Sequence, residues 1–201
     1  SANANIIIRN LALDACFLMM VKYANLLGTA VVAANAIHIH FINFAAYALD
    51  GFAFSVETLC GSAYGRKNRA EFRDVVVKTC LWAAGISLVF GGGYWLFGQY
   101  YINAMSVSAD VRQAAMQTLF LAALGPVIGV WAFQADGIFF GTTQTAELRN
   151  ATVASAIVFT LMVWLLWPWA LTGLWIAFLA FFLARALFLF AYYPSLERRM
   201  R

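Results

Sequence analysis

Charge is scarce in this chain. Only 11% of its 201 residues are Asp, Glu, Lys or Arg, against roughly 25% in an ordinary soluble domain, while 64% are hydrophobic and 18 are Phe. That balance excludes water as the folding solvent and leaves no stretch for a separate soluble domain. Cysteine is also sparse: Cys16, Cys60 and Cys80 form no C-x-x-C and sit in apolar runs, where they read as small apolar filler. The only histidines, His38 and His40, are two residues apart and point to different helix faces, which makes a poor metal pair and a better case for polar packing. No Lys follows Gly91-Gly92-Gly93 to make a phosphate loop, so close helix packing is expected there. No segment resembles a signal peptide, and the chain opens on Ser1 rather than Met, so a beginning further upstream is expected. No cofactor is expected.

Long apolar runs are what the chain has instead. A spanning helix needs about 20 mostly apolar residues, and six candidates follow, at about 6–27, 31–64, 74–101, 112–141, 151–167 and 171–193. Residues 1–201 therefore read as one all-α polytopic membrane domain. The second, third and fourth runs exceed the bilayer, which predicts tilt, projection into water, or breaks at Gly51, at Gly91-Gly92-Gly93 and at Gly125-Pro126.

Loop charge gives the orientation, because Lys and Arg near helix ends stay on the cytoplasmic side. Arg66, Lys67, Arg69, Arg73, Arg149, Arg198, Arg199 and Arg201 fall on one side, whereas the opposite loops GTA, NAMSVSAD and WPWALTG hold no Lys or Arg. Both termini are thus predicted cytoplasmic. Trp95, Tyr100, Tyr101, Trp164, Trp167 and Trp169 then gather at the outer interface, where amphipathic rings prefer to sit. Topology accounts for the sequence pI near 9.1, and nucleic acid is excluded as a partner.

Against that background, Asp14, Asp50, Glu57, Asp136 and Arg185 lie inside the apolar runs. Each costs about 2.5–3.5 kcal/mol at a helix centre on insertion scales. Asp50 and Glu57 are seven residues apart, about 10.5 Å and nearly two turns, so they share a face with Asn43, Tyr47 and Tyr64. This stripe must face a partner helix, as polar glue, or a water-filled cavity. The fourth run repeats the pattern, Asp136-Gly137 echoing Asp50-Gly51 with Gly125-Pro126 upstream. Gly51, Gly125, Pro126 and Gly137 are therefore hinge candidates, either loosening the helix beside an acid or serving as plain packing hinges. Lys22 is expected to reach the outer interface. Asp14 reads as a second ion-coupling acid or as a partner of Arg9 or Arg185, and Arg185 as the neutraliser of an acid.

The strings AAYALDGFAFSVETLCGSAYG, DGIFFGTTQTAELRNATVAS and FLARALFL, taken together, resemble the second half of a multidrug and toxic compound extrusion (MATE) transporter. More narrowly they resemble the branch typified by a DNA-damage-inducible member, and the match runs along nearly the whole chain. The resemblance implies twelve helices in two six-helix lobes around a central cavity that opens alternately to each side. It also implies export of cationic or amphipathic compounds in exchange for H+ or Na+. This chain would be the C-terminal lobe, and its partners the missing N-terminal six-helix lobe, the lipid bilayer and small cationic or amphipathic substrates. A bacterial inner membrane is the implied location. Acids near Asp136 and in the first helix are cation-binding in the Na+-coupled members, whereas the narrower branch relies on an acid of the other lobe. Gln144 departs from an expected Arg, and Asp14 and Lys22 depart from the branch pattern.

The chemistry that fits these residues is proton-coupled antiport, with Na+ as the other possible coupling ion. A carboxylate desolvated in an apolar cavity takes a proton more readily than one in water, and when ionised it attracts an organic cation. Asp50, Glu57 and Asp136 are the candidates, with Phe52, Phe54, Phe133 and Phe139 as aromatic faces for a cation. Two other readings stand beside it. A lipid or oligosaccharide flippase would call for a cavity lined by Arg and Lys. An intramembrane aspartyl hydrolase would need Asp50 and Asp136 about 3 Å apart and sharing a proton.

Overall fold

The computed structural model describes residues 1–200 as six helices joined by short turns. They are Ala2–Leu26 (α1), Thr29–Gly65 (α2), Arg69–Met105 (α3), Ala109–Gly141 (α4), Thr145–Leu165 (α5) and Ala170–Arg198 (α6), with a single 3-10 turn at Trp167–Trp169. All six are long and apolar enough to cross a membrane. Each expected span is found, with different ends. α1 begins four residues earlier than expected, α5 six residues earlier, and α3 and α6 run on into charged sequence, because Arg and Glu are good helix formers once the helix leaves the bilayer. At 37 residues, α2 is about 55 Å long, well beyond the roughly 30 Å hydrocarbon layer.

The expected breaks are absent. α2 passes Gly51, α3 passes Gly91-Gly92-Gly93 and α4 passes Gly125-Pro126 without leaving the helix. Several of these glycines permit close approach instead. A Cβ on Gly91 would come 2.6 Å from the Ala123 carbonyl oxygen, and one on Gly125 would come 2.6 Å from Ile42 Cδ1. Gly51, Gly92 and Gly93 face open space, where no neighbouring residue limits side-chain size.

α4 is the central helix. It packs on α2, α3 and α6, while α1 leans mainly on α5 and α5 on α6. Its buried face is built from small residues, among them Ala122, Ala123, Gly125, Gly129, Ala132, Ala135 and Gly137, which lets neighbouring backbones come close where apolar burial alone gives no drive between helices. His38 of α2 fastens the opposite half: Tyr94 Oη lies 2.7 Å from its Nδ1, and its Nε2 lies 3.0 Å from the Ala115 carbonyl and 3.1 Å from Thr118 Oγ1. A carbonyl only accepts, so Nε2 carries the proton and Nδ1 accepts from the tyrosine. The histidine is polar packing.

Two turns at one end share a backbone form. After α2, Lys67 is left-handed (φ 55°), and the Asn68 and Lys67 amides bond to the Ala63 and Tyr64 carbonyls; after α4, Thr143 (φ 60°) and Gln144 repeat this onto Phe140 and Phe139. The start of α1 and the end of α6 lie at that same end. Glu197, almost buried near the end of α6, accepts from Arg69 at 2.7 Å and from Arg73 at 2.5 Å. Arg199 reaches Glu147 at 3.0 Å, and Arg149 reaches Asn5 at 2.7 Å. The basic segments grouped by sequence thus sit on one end of the bundle. At the other end, Arg112 folds back onto the Ser106 and Asn103 carbonyls that close α3. Trp95, Tyr100, Trp164 and Trp169 are exposed, whereas Tyr101 turns inward against Tyr94.

Candidate functional site: a charged cleft between the first two helices

α1 and α2 touch each other little, and between them lies a cavity of about 370 Å³, floored by α4 and α6. That volume suits a small organic molecule. α2 contributes Asn43, Asp50 and Glu57, the seven-residue spacing placing all three on one face as the sequence predicts. Asp136, Gly137, Phe133 and Phe140 come from α4, Phe182 and Arg185 from α6, and Arg9, Leu13 and Phe17 from α1.

Charge is unevenly engaged in this space. Asp136 Oδ2 accepts from Arg9 Nη2 at 2.5 Å and also from Arg185 Nη2, so one carboxylate oxygen serves two guanidiniums. Arg185 is buried, and Arg9 lies over the Phe140 ring at 5.0 Å while donating to Asn10 Oδ1 at 2.8 Å. Asp136 Oδ1 and both arginine Nε atoms are buried without a partner. Asp50 and Glu57 differ. Both are half-buried, and neither has an ion-pair partner within 4.0 Å among the described residues. Three carboxylates against two guanidiniums leave the cleft one formal net negative charge, two negative charges on α2 set against one positive on the Asp136 cluster.

Not every expected residue arrives here. Tyr47 lies outside the cavity, 77% exposed, because α2 has no neighbour on that face. Tyr64 packs on Phe72 near the basic end, 6.4 Å between ring centroids. Asp14 is exposed and pairs with neither Arg9 nor Arg185, since both are taken by Asp136. Phe54 and Phe133 line the cleft, but Phe139 is core and Phe52 packs beside Leu49, Ala83 and Val130. Phe17, Phe140 and Phe182 are not among the expected residues, and Arg9, expected only as a possible partner of Asp14, pairs with Asp136 instead. Arg9 carried a usable signal, as a cation two turns inside an apolar helix. The aspartyl dyad finds no support here, because Asp136 is engaged by Arg9 and Arg185 rather than by Asp50.

Six helices long and apolar enough to cross a membrane, enclosing a charged cleft, define a multi-pass α-helical membrane protein. The MatE family profile matches residues 6–166, and the chain belongs to that family. It is 35% identical over 190 residues, 94% of its length, to the DNA damage-inducible protein F of Escherichia coli (strain K12), of which it covers 41%. Its fold matches a solved inward-facing conformation of a multidrug resistance MATE family transporter of the MOP superfamily, with a TM-score of 0.84 at 14% identity, over 96% of this chain and 46% of that one. The chain thus spans less than half the length of either.

Proposed function

We propose that the chain is the second lobe of a cation-coupled antiporter that exports cationic or amphipathic organic compounds, with H+ as the coupling ion. The observation that carries this reading is the cleft: unpaired acids at Asp50 and Glu57, aromatic walls from Phe54, Phe133 and Phe182, and a net negative charge at membrane depth. An organic cation gains from a desolvated carboxylate and an aromatic face together. A proton competes for the same carboxylate, and that competition is the coupling. The other lobe, which the relatives' greater length accommodates, is the partner that covers the α1–α2 side. Its membrane is a bacterial inner membrane, with the basic end and both termini in the cytoplasm.

A flippase of the wider superfamily is the second reading, and Arg9 and Arg185 in the cleft favour it, because lipid headgroups carry phosphate. Both guanidiniums are already held by Asp136, and the net charge of the wall repels an anion, so cation export fits better. The test is flux in proteoliposomes from both lobes together, with a proton gradient and a sodium gradient imposed separately. A cationic dye should move with the proton gradient, and Asp50→Asn or Glu57→Gln should change its pH dependence. Lipid scrambling without dye flux contradicts the export reading.

A further inference from the structure

In the sodium-coupled relatives implied by the resemblance, an acid near Asp136 receives the cation. The residues around Asp136 do not fit that task here. Its Oδ2 is shared by Arg9 and Arg185, its Oδ1 is buried without a partner, and the three side chains already carry one net positive charge. An incoming Na+ would meet two fixed like charges in a low-dielectric site before it reached a single oxygen. The anchoring is also strong in position: Arg9 comes from α1, Asp136 from α4 and Arg185 from α6, and Arg185 is fully enclosed. Arg9 is less enclosed, with 14% of its side chain exposed, and it lines the cleft beside Asp136 and Arg185.

We infer that Arg9 is a specificity-determining residue: it supplies Asp136 with a tethered cation, closes that acid to Na+, and leaves Asp50 and Glu57 as the acids of this cleft open to a proton or a cationic substrate. The inference rests on the antiporter reading for its meaning in transport, but its physical content belongs to this chain alone, because all three helices of the cluster lie within it. Asp136 is then a strut between α1, α4 and α6, and ion exchange takes place across the cleft on α2.

The experiment is Na+ binding by the 201-residue chain in detergent, read as retained 22Na+ and as the thermal unfolding midpoint in NaCl against choline chloride at equal ionic strength. Wild type should show no difference between the salts. Arg9→Ala, which frees one side of Asp136, should bind Na+ and gain about 2–4 °C at saturating NaCl; adding Asp136→Asn should abolish the gain, and Arg9→Lys, which keeps a tethered cation, should show none. Should Arg9→Ala fail to fold, Arg9→Gln retains most of the side-chain volume and carries the same expectation. Na+ stabilisation of wild type that disappears in Asp136→Asn overturns the inference, as does the absence of any Na+ response in both Arg9→Ala and Arg9→Gln. Failure of the export reading shows elsewhere: no substrate flux by the two-lobe assembly under any gradient, whatever the Na+ result.

Discussion

Gly141 has no room for a side chain, because a Cβ built on it would overlap the backbone carbonyl of Glu57. α2 and α4 therefore meet backbone to backbone beside the cleft, and the same holds at Gly61, which faces Gly141, and at Gly137, where a Cβ would lie 2.5 Å from the Ala53 carbonyl oxygen. The position of Glu57 is set by a glycine 84 residues away. Gly141→Ala and Gly137→Ala should each cost about 1–3 kcal/mol by forcing the helices apart. Gly51→Ala and Gly93→Ala, which face open space, should be neutral or gain up to about 1 kcal/mol from helix propensity. Thermal or SDS unfolding of the purified variants decides. Equal damage at Gly51 and Gly141 contradicts the close-packing account.

Asp136→Asn should destabilise the lobe by about 3–5 kcal/mol, since it strands two guanidiniums, one of them fully buried. Asp50→Asn removes no ion pair and should cost under about 1 kcal/mol. The same unfolding assay separates them. A stable Asp136→Asn and an unfolded Asp50→Asn would reverse the roles assigned to the two acids.

Tyr94→Phe should cost about 1–3 kcal/mol, because the buried His38 Nδ1 loses its donor. Restoration of stability by the double variant His38→Leu/Tyr94→Phe, which removes both polar partners, would confirm that the cost is an unpaired group. Additive losses would locate it in packing instead.

How far the sequence carries the reading depends on the range of each interaction. Spans, basic end and the Asn43-Asp50-Glu57 face are written in local periodicity, so they are legible along a single helix. The partner of Asp136 is not, because Arg9 lies 127 residues away and nothing in the local pattern names it. Gly51 and Gly125-Pro126 resemble helix breaks by residue type, yet a membrane helix keeps its hydrogen bonds where it can, and Gly125 serves instead the close approach of Ile42 from a neighbouring helix. Tyr47 was misplaced for a related reason: a face can be inferred from spacing, but whether another helix covers it cannot.

Orientation is tested by labelling single cysteines in a cysteine-free background with a reagent that does not cross membranes. Lys67→Cys, in the basic turn after α2, should react only from the cytoplasmic side, and Val107→Cys, 94% exposed at the opposite end, only from outside. The reversed pattern inverts the topology.

The most direct test of the antiporter account is gradient-driven efflux of a cationic dye in proteoliposomes holding the 201-residue chain alone, or the chain with an N-terminal lobe supplied as a separate polypeptide. The account expects no flux from the chain alone, proton-driven flux once both lobes are present, and loss or altered pH dependence of that flux in Asp50→Asn or Glu57→Gln. Robust gradient-dependent efflux by the chain alone, persisting at dilutions where dimers dissociate, would contradict it.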